Sequence, residues 1–155
     1  MPTDDQEPRR SRPPAHLSAR FARQRREATE PELAVRRELH RRGLRYRVQY
    51  RVEGLPRRRV DIAFPRKRLA VFVDGCFWHG CPEHCVIPKS NRDWWLWKFD
   101  SNARRDADTD QRLADLDWSV VRIWEHVGSD EAADAVVEAI SRRRIEQSVS
   151  DQRDT

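Results

Sequence analysis

Long apolar runs and lysine are the two scarcest features of this 155-residue chain. No stretch approaches the roughly eighteen consecutive apolar residues of a transmembrane helix, and the first residues lack the apolar core of a signal peptide. Charged residues make up 37% of the chain and the mean hydropathy is −0.95. We therefore expect a soluble cytoplasmic protein with one small core and no membrane partner.

The basic residues are almost all arginine. Lysine occurs only as Lys67, Lys89 and Lys98, so 28 of the 31 basic residues are arginine, and the formal net charge is +5. Arginine carries a planar fork of donors that suits phosphates and base edges. A GC-rich genome also enriches arginine without any functional meaning. Composition alone therefore leaves these two explanations equal.

Cysteine is scarce and clustered, because the three cysteines lie within ten residues. An odd count in a cytoplasmic chain argues against a disulfide framework. The pattern Cys76-x₄-Cys81-x₂-His84, followed by Cys85, instead places thiolates and an imidazole at spacings that zinc uses. A closed set of four protein ligands predicts a structural site, with His126 as a candidate distant ligand. The spacing leaves either His84 or Cys85 as the third ligand, and free thiols in an exposed loop are the alternative to a metal site.

The residue pattern predicts three segments: a basic, disordered arm over residues 1–27, a domain over 28–145 and a polar tail over 146–155. Seven arginines lie between Arg9 and Arg26, so the arm also suits a phosphate backbone. Within the domain, Thr29 begins a capping box and Gly43 ends the helix that follows it. The other predicted elements are strands at 44–52, 60–64 and 69–73, a helix at 92–116, a strand at 119–124 and a helix at 130–144. This order predicts an α/β fold with a mixed central sheet flanked by helices; we expect a monomer.

Two acidic residues lie where strands could bring them together. Asp61 stands in mid-strand between Val60 and Ile62, which is hard to explain as structure, and Asp74 ends the next strand. Carboxylates at one sheet edge suit Mg²⁺, which prefers oxygen ligands. Asp74-Gly75 is also a common turn pair, so a purely structural role for Asp74 is an equal alternative. His79 has the chemistry of a general base or, alternatively, of a zinc ligand.

One long string resembles the signature of a known family. Residues 71–82, Val-Phe-Val-Asp-Gly-Cys-Phe-Trp-His-Gly-Cys-Pro, are similar to the signature of the very short patch repair (Vsr) endonucleases. The segments Arg59-Val60-Asp61 and Trp124-Glu125-His126 agree with flanking motifs of that family. So does the helical pattern of Lys98, Asn102 and Asp106. The resemblance covers roughly residues 22–127.

The resemblance implies a restriction-endonuclease-like core with a structural zinc and a catalytic Mg²⁺. It implies an enzyme that nicks the thymine-bearing strand 5′ of a T:G mismatch in duplex DNA, with a MutL-type repair protein as a further candidate partner. By position, Asp61 and the Val73 carbonyl would hold Mg²⁺, His79 would be the general base, and Glu32 would orient His79. The implied zinc ligands are Cys76, Cys81, His84 and His126.

One position departs from the family pattern. Some relatives have Thr-His where this chain has Val73-Asp74, so a carboxylate replaces a catalytic imidazole. At neutral pH a carboxylate cannot act as a cationic partner to phosphate, but it could bind Mg²⁺ directly. The Val73 backbone carbonyl can still supply its metal contact.

Aromatic residues crowd the same region. The resemblance implies that Phe77, Trp78 and Trp95 insert at the mismatch, since wedges enter a poorly paired step at least cost. Trp94 and Trp97 are predicted to pack, and Trp118 and Trp124 to lie in the core. The resemblance also places Lys98, Asn102 and Asp106 toward DNA. For the last two, a merely solvated helix face is the alternative.

Three functions compete on this evidence. The first is mismatch-specific nicking. The second is a restriction-associated or other sequence-specific nuclease on the same core. The third is a zinc-stabilised DNA-binding module without catalysis. The acidic pair with His79 argues against the third, because a pure binder has no need of acidic groups facing phosphate.

Overall fold

A computed structural model describes residues 6–12 and 29–153 of the chain. The elements in chain order are α1 (Glu30–Arg41), β1 (Arg47–Tyr50), β2 (Val60–Phe64), a 3₁₀ turn (Pro65–Lys67), β3 (Leu69–Asp74), α2 (Arg92–Asp115), β4 (Ser119–Trp124) and α3 (Ser129–Arg153). The predicted α/β class is confirmed. No helix in the described ranges is long and apolar enough to cross a membrane.

The four strands form one mixed sheet in the order β1-β2-β3-β4. The pairs β1–β2 and β2–β3 are antiparallel, whereas β3 and β4 are parallel, with Asp74 opposite Trp124. The start of β2 and the ends of β3 and β4 therefore meet at the same end of the sheet. The parallel pair needs a crossover, and α2 provides it.

Helices cover both faces of the sheet. On one face, α1 and α3 bury an apolar cluster that includes Leu39, Ile62 and Val136. On the other, Leu113 of α2 packs against a second cluster that includes Phe72. Leu39, Ile62, Leu113 and Val136 have no exposed surface. These two thin cores hold the sheet end rigid, as a polar site on it requires.

The start of α1 differs from the predicted capping box. Thr29 occupies the N-cap, but its side chain makes no capping hydrogen bond. The Glu32 carboxylate instead pairs with Arg36 one turn along the helix. The ion pair therefore replaces the capping interaction. The predicted helix end is confirmed, because Gly43 has a φ of +80° that favours glycine.

The first strand is shorter than its alternating pattern predicted. Only Arg47–Tyr50 pair with β2, and Gln49 has a φ of +48° that breaks the extended chain. Val52 and Leu55 then leave the strand direction and enter the cluster beneath α2. The alternation of apolar and polar residues in the sequence continues beyond the end of β1, because a buried loop also has apolar side chains at short intervals.

At the ends of the chain, the last helix is longer than predicted, and the three-segment division stays a prediction. Most of the expected arm, residues 1–27, lies outside the described residues. Of the part described, Glu7 accepts a hydrogen bond of 2.8 Å from Trp94 Nε1, and Arg10 lies over the Trp94 ring at 4.3 Å. At the other end, α3 continues to Arg153 instead of ending near Arg144. The residues of its last two turns are exposed, so the apolar pattern of the sequence did not predict that the helix continues there.

Candidate functional site

A half-buried carboxylate marks the end of the sheet at which three strands meet. Asp61, at the start of β2, accepts a hydrogen bond of 3.0 Å from the Val73 backbone N–H on β3. Burial, together with the charges of Glu32 and Asp74, raises the pKa of Asp61 to about 6, although the Val73 hydrogen bond and Arg36 act in the opposite direction. Three carboxylates therefore share one small region. Their mutual repulsion favours a bound cation there.

Asp74, at the end of β3, forms an ion pair with Arg122. The Nη1 atom of Arg122 donates to both carboxylate oxygens of Asp74, at 3.1 and 3.2 Å. Arg122 also binds Asp110 on α2, with Nη2 at 2.7 Å. Burial opposes the charged guanidinium, but its hydrogen bond to Asp110 and the charge of Asp74 raise the pKa of Arg122. Asp74 is thus an anchor for an arginine, which leaves it less available as the direct Mg²⁺ ligand considered above.

His79 lies between two carboxylates. Its Nδ1 is 2.5 Å from Asp106 Oδ2, and its Nε2 is 3.8 Å from Asp74 Oδ1. Burial lowers the pKa of His79, but the hydrogen bond that His79 donates to Asp106 and the charges of Asp74 and Asp106 outweigh it and raise the pKa. The structure therefore gives His79 a different orienting acid from the one the resemblance implied. Asp106 holds the ring, while Glu32 is engaged by Arg36.

A cavity of about 550 Å³ opens beside His79. Its walls include Val73, Trp78 and His79 from the sheet end and its loop, and Lys98 and Asn102 from α2. Asn102 is only 6% exposed and donates a hydrogen bond of 2.9 Å to the Trp78 carbonyl. Asn102 thus fixes the loop that carries Trp78, and neither it nor Asp106 is merely solvated.

The cysteine-rich loop brings four potential metal ligands together. The ligand atoms of Cys76, Cys81, His84 and His126 all lie within 4.8 Å of one another. His126 Nδ1 lies 3.2 Å from Cys76 Sγ and 3.8 Å from Cys81 Sγ, and Cys81 Sγ lies 3.9 Å from His84 Nδ1. Bonds of ~2.0–2.3 Å to a tetrahedral zinc place neighbouring ligand atoms roughly 3.3–3.8 Å apart. The set therefore fits zinc in both donor type and spacing.

Cys85 lies outside this set. Its thiol faces the Phe77 carbonyl at 3.7 Å. The two thiols inside the set differ in acidity. Burial and the neighbouring Cys81 raise the pKa of Cys76 to about 11. Burial also opposes ionisation of Cys81, but hydrogen bonds from the backbone at Glu83 and the His84 ring lower its pKa. The geometry selects His84 over Cys85, a choice that spacing in the sequence left open.

The aromatic residues form one cluster at the tip of this loop. The Phe77 ring contacts the rings of Trp78 and Trp95 at centroid distances of 5.3 and 5.0 Å. Phe77 and Trp78 are half-buried, whereas Trp95 is 9% exposed and packs against both. Trp95 therefore supports the other two rings, and its contact with DNA stays a prediction. Trp94 is buried, as predicted for packing.

Sequence reasoning missed Arg122, which contacts more of the site's acidic groups than any predicted residue does. The available signal was its position, since Arg122 is a charged residue within the otherwise apolar strand Val120–Trp124. The same signal had identified Asp61. Trp118 and Trp124, predicted as core, are only half-buried.

Comparison with known proteins gives consistent relatives. The family described as "DNA mismatch endonuclease Vsr" matches residues 12–86. The type II nicking enzyme V.NaeI of Lentzea aerocolonigenes is 39% identical over 133 residues, which span 82% of this chain and 80% of that protein. The type II nicking enzyme V.XorIIP of Xanthomonas oryzae is 42% identical over 66% of this chain and 74% of its own length. The DNA mismatch endonuclease Vsr of Escherichia coli is 37% identical over 54% and 52%.

Proposed function

Because the chain belongs to the Vsr family and is a DNA endonuclease, we propose that it nicks the thymine-bearing strand 5′ of a T:G mismatch. The proposal includes a Mg²⁺-dependent reaction within very short patch repair. The observation that carries it is the position of His79, which Asp106 holds in a cavity that Val73 and the Phe77–Trp78 pair also line. The backbone N–H of Val73 in turn binds Asp61. The proposed base, metal ligand and mismatch wedge therefore belong to one end of the sheet.

Asp61 and the Val73 carbonyl are the proposed Mg²⁺ ligands. Oxygen donors suit this ion, and the crowding of Asp61 by Glu32 and Asp74 is relieved by a bound cation. When bound, Mg²⁺ neutralises charge on the phosphate and makes a coordinated water more acidic. Glu32 belongs to this acidic group rather than to the orientation of His79.

His79 is the proposed general base. With Nδ1–H donating to Asp106, the lone pair of Nε2 is the position that takes a proton from the attacking water. Asp74 lies 3.8 Å from that Nε2 and favours the protonated imidazole that results. Lys98 lines the cavity beside His79, where a cation suits the scissile phosphate.

We also propose that Cys76, Cys81, His84 and His126 hold one structural zinc. The spacing of their ligand atoms and the closed set of four support this assignment. The metal would fix the loop between β3 and α2 and so present Phe77 and Trp78 to DNA. A MutL-type partner, a monomeric state and a cytoplasmic location stay expectations from the sequence.

A second candidate is nicking at a different site or mismatch context. The relatives that match this chain over most of their length are named type II nicking enzymes, which favours an association with restriction systems. The chemistry would be the same, because the Asp61–His79 arrangement does not depend on the base recognised.

Strand-specific cleavage separates the two candidates. Duplexes carrying T:G, T:A or C:G at one position, each strand labelled separately, are incubated with and without Mg²⁺. We expect one nick, on the thymine strand of the T:G duplex, only with Mg²⁺. Equal nicking of all three duplexes would favour the second candidate. No nicking of any duplex at any flanking sequence would contradict both.

A further inference from the structure

Arginine is concentrated in two segments, residues 9–26 and residues 45–59, and the second lies wholly within the part of the chain that the structure describes. Residues 45–59 hold six arginines and the single acid Glu53, a surplus of five that equals the net charge of the whole chain. The remaining residues are therefore balanced overall. A GC-rich genome would enrich arginine throughout the chain. A local excess of arginine over acidic residues therefore needs a structural explanation.

Five of these six arginines are exposed and have no carboxylate within 4.0 Å among the residues that the structure describes. Arginines on the helices behave differently, since Arg36, Arg42 and Arg112 each pair with an acid. We call the five the arginine edge: Arg45, Arg47, Arg51, Arg57 and Arg59. Like charges kept together without counterions suit an anionic partner.

The sixth arginine ties this edge to the catalytic end of the sheet. Arg58 donates to the Arg105 carbonyl at 2.8 Å and pairs with Asp108 at 2.9 Å. The turn of α2 that it binds also carries Asp106, the partner of His79. Arg57 and Arg59 flank this anchor, and Asp61 follows Arg59 by two residues.

The rest of the arginine edge follows the outer strand of the sheet. β1 is the edge strand, and Arg47 lies opposite Ala63 of β2. Arg45 and Arg47 therefore extend the row of charges away from Asp61 along the sheet. An elongated anion with regularly spaced charges, such as a duplex phosphate backbone, is complementary to such a row.

We propose that the arginine edge binds the phosphate backbone of the duplex on one side of the nick. This proposal rests on the proposed function only in assuming that DNA is the molecule bound at the site. The arginine edge would bind DNA of any sequence. It offers guanidinium groups to the phosphates, but it has no helix or strand that enters a groove and contacts base edges. Positive residues on an exposed strand also discourage edge-to-edge aggregation, and the experiment must separate that role from DNA contact.

The experiment measures affinity against salt concentration with a fluorescent matched duplex, without Mg²⁺. The test protein carries Arg57→Gln and Arg59→Gln. The matched control carries Arg142→Gln and Arg144→Gln, two exposed arginines on α3, which is not part of the arginine edge. Both variants lose the same charge, so a general electrostatic effect would change them equally. A third protein, with Arg57→Lys and Arg59→Lys, keeps the charge.

The slope of log affinity against log salt should become less steep by about 1.8 in the test variant, since each phosphate contact contributes about 0.9. The control should keep the wild-type slope, and the lysine variant should recover most of it. Melting temperatures confirm that all variants are folded. Equal slopes for test and control variants would overturn the proposal, as would a wild-type protein that does not bind duplex. A wild type that binds but does not nick contradicts the proposed function alone.

Discussion

At the scale of single residues, burial and pairing distinguish the acidic groups of the site. Burial raises the pKa of Asp61 even though the Val73 N–H donates to it, so its ionised form is costly without a cation. Asp74 has a guanidinium partner, and Asp106 has an imidazole. The three carboxylates therefore differ in their partners: Asp74 pairs with an arginine, Asp106 with a histidine, and Asp61, the proposed metal ligand, with a backbone N–H.

Asp61→Asn should abolish nicking while duplex binding is kept. The amide oxygen can still accept the Val73 hydrogen bond, but the change removes the charge that holds Mg²⁺. We expect a loss of several orders of magnitude in single-turnover cleavage and an unchanged or higher melting temperature. A variant with more than about a tenth of wild-type activity would show that Asp61 is not the essential ligand, because that loss is under ~1.4 kcal/mol of barrier.

Arg122→Met should lower both stability and nicking. It leaves Asp74 and Asp110 without their shared cation, and the 21% exposure of the Arg122 side chain limits how far water compensates. We expect unfolding by urea to show a loss of about 1–3 kcal/mol. The control is Arg112→Met, which removes an exposed pair with Asp108 and should cost under about 0.5 kcal/mol. Equal losses would mean that the Arg122 network does not stabilise the site.

At the scale of elements, the apolar patterns of the sequence predicted which strands and helices are buried. They did not predict which residues are positioned by polar contacts. The strands at 60–64 and 119–124 agree with the structure to the residue, because their apolar runs are bounded by polar turns. The predicted capping of α1 was wrong, because Thr29 makes no side-chain capping hydrogen bond and Glu32 pairs with Arg36. The contact of His79 with Asp106 joins segments that are far apart in the sequence, so no local pattern indicated it. The cluster of cysteines and histidines was found by spacing, but the choice of His84 needed the third dimension.

The cysteine-rich loop should depend on zinc for its structure. Cys76→Ser or Cys81→Ser removes a ligand, so purified protein should contain less than one zinc and unfold at lower temperature, because metal binding is coupled to folding. Cys85→Ser is the matched control and should keep one zinc per chain by elemental analysis. Zinc loss in Cys85→Ser with retention in His84→Ala would instead place Cys85 in the ligand set. Active wild-type protein without zinc would contradict the site as a whole.

At the scale of the whole molecule, the two halves of the sheet carry different groups of polar residues. The carboxyl ends of β3 and β4 carry the candidate site and the cysteine-rich loop, while β1 and the segment after it carry the arginine edge. In the complex that we propose, the arginine edge contacts phosphates and the Phe77–Trp78 pair contacts the base pairs. Affinity and discrimination should therefore respond to different variants.

Trp78→Ala should reduce the preference for mismatched duplex. A side chain that enters the stack offsets an unstacking cost of a few kcal/mol, and that cost is least where pairing is already poor. Binding to a T:G duplex should weaken about tenfold or more, and binding to matched duplex should change little. The salt dependence of binding should stay as in the wild type, because the phosphate contacts remain.

Trp97→Ala is the control for this change, since it removes an indole from the same aromatic cluster but from α2 instead of the loop tip. It should lower the melting temperature and leave the ratio of the two affinities unchanged. A Trp78→Ala variant that loses both affinities and its melting temperature together would mean that Trp78 only packs beneath the loop. Mismatch selectivity would then have to come from the groups that face the cavity, Lys98 and Asn102. Exchanging those two side chains, rather than the aromatic ones, would then be the way to alter which mispair is cut.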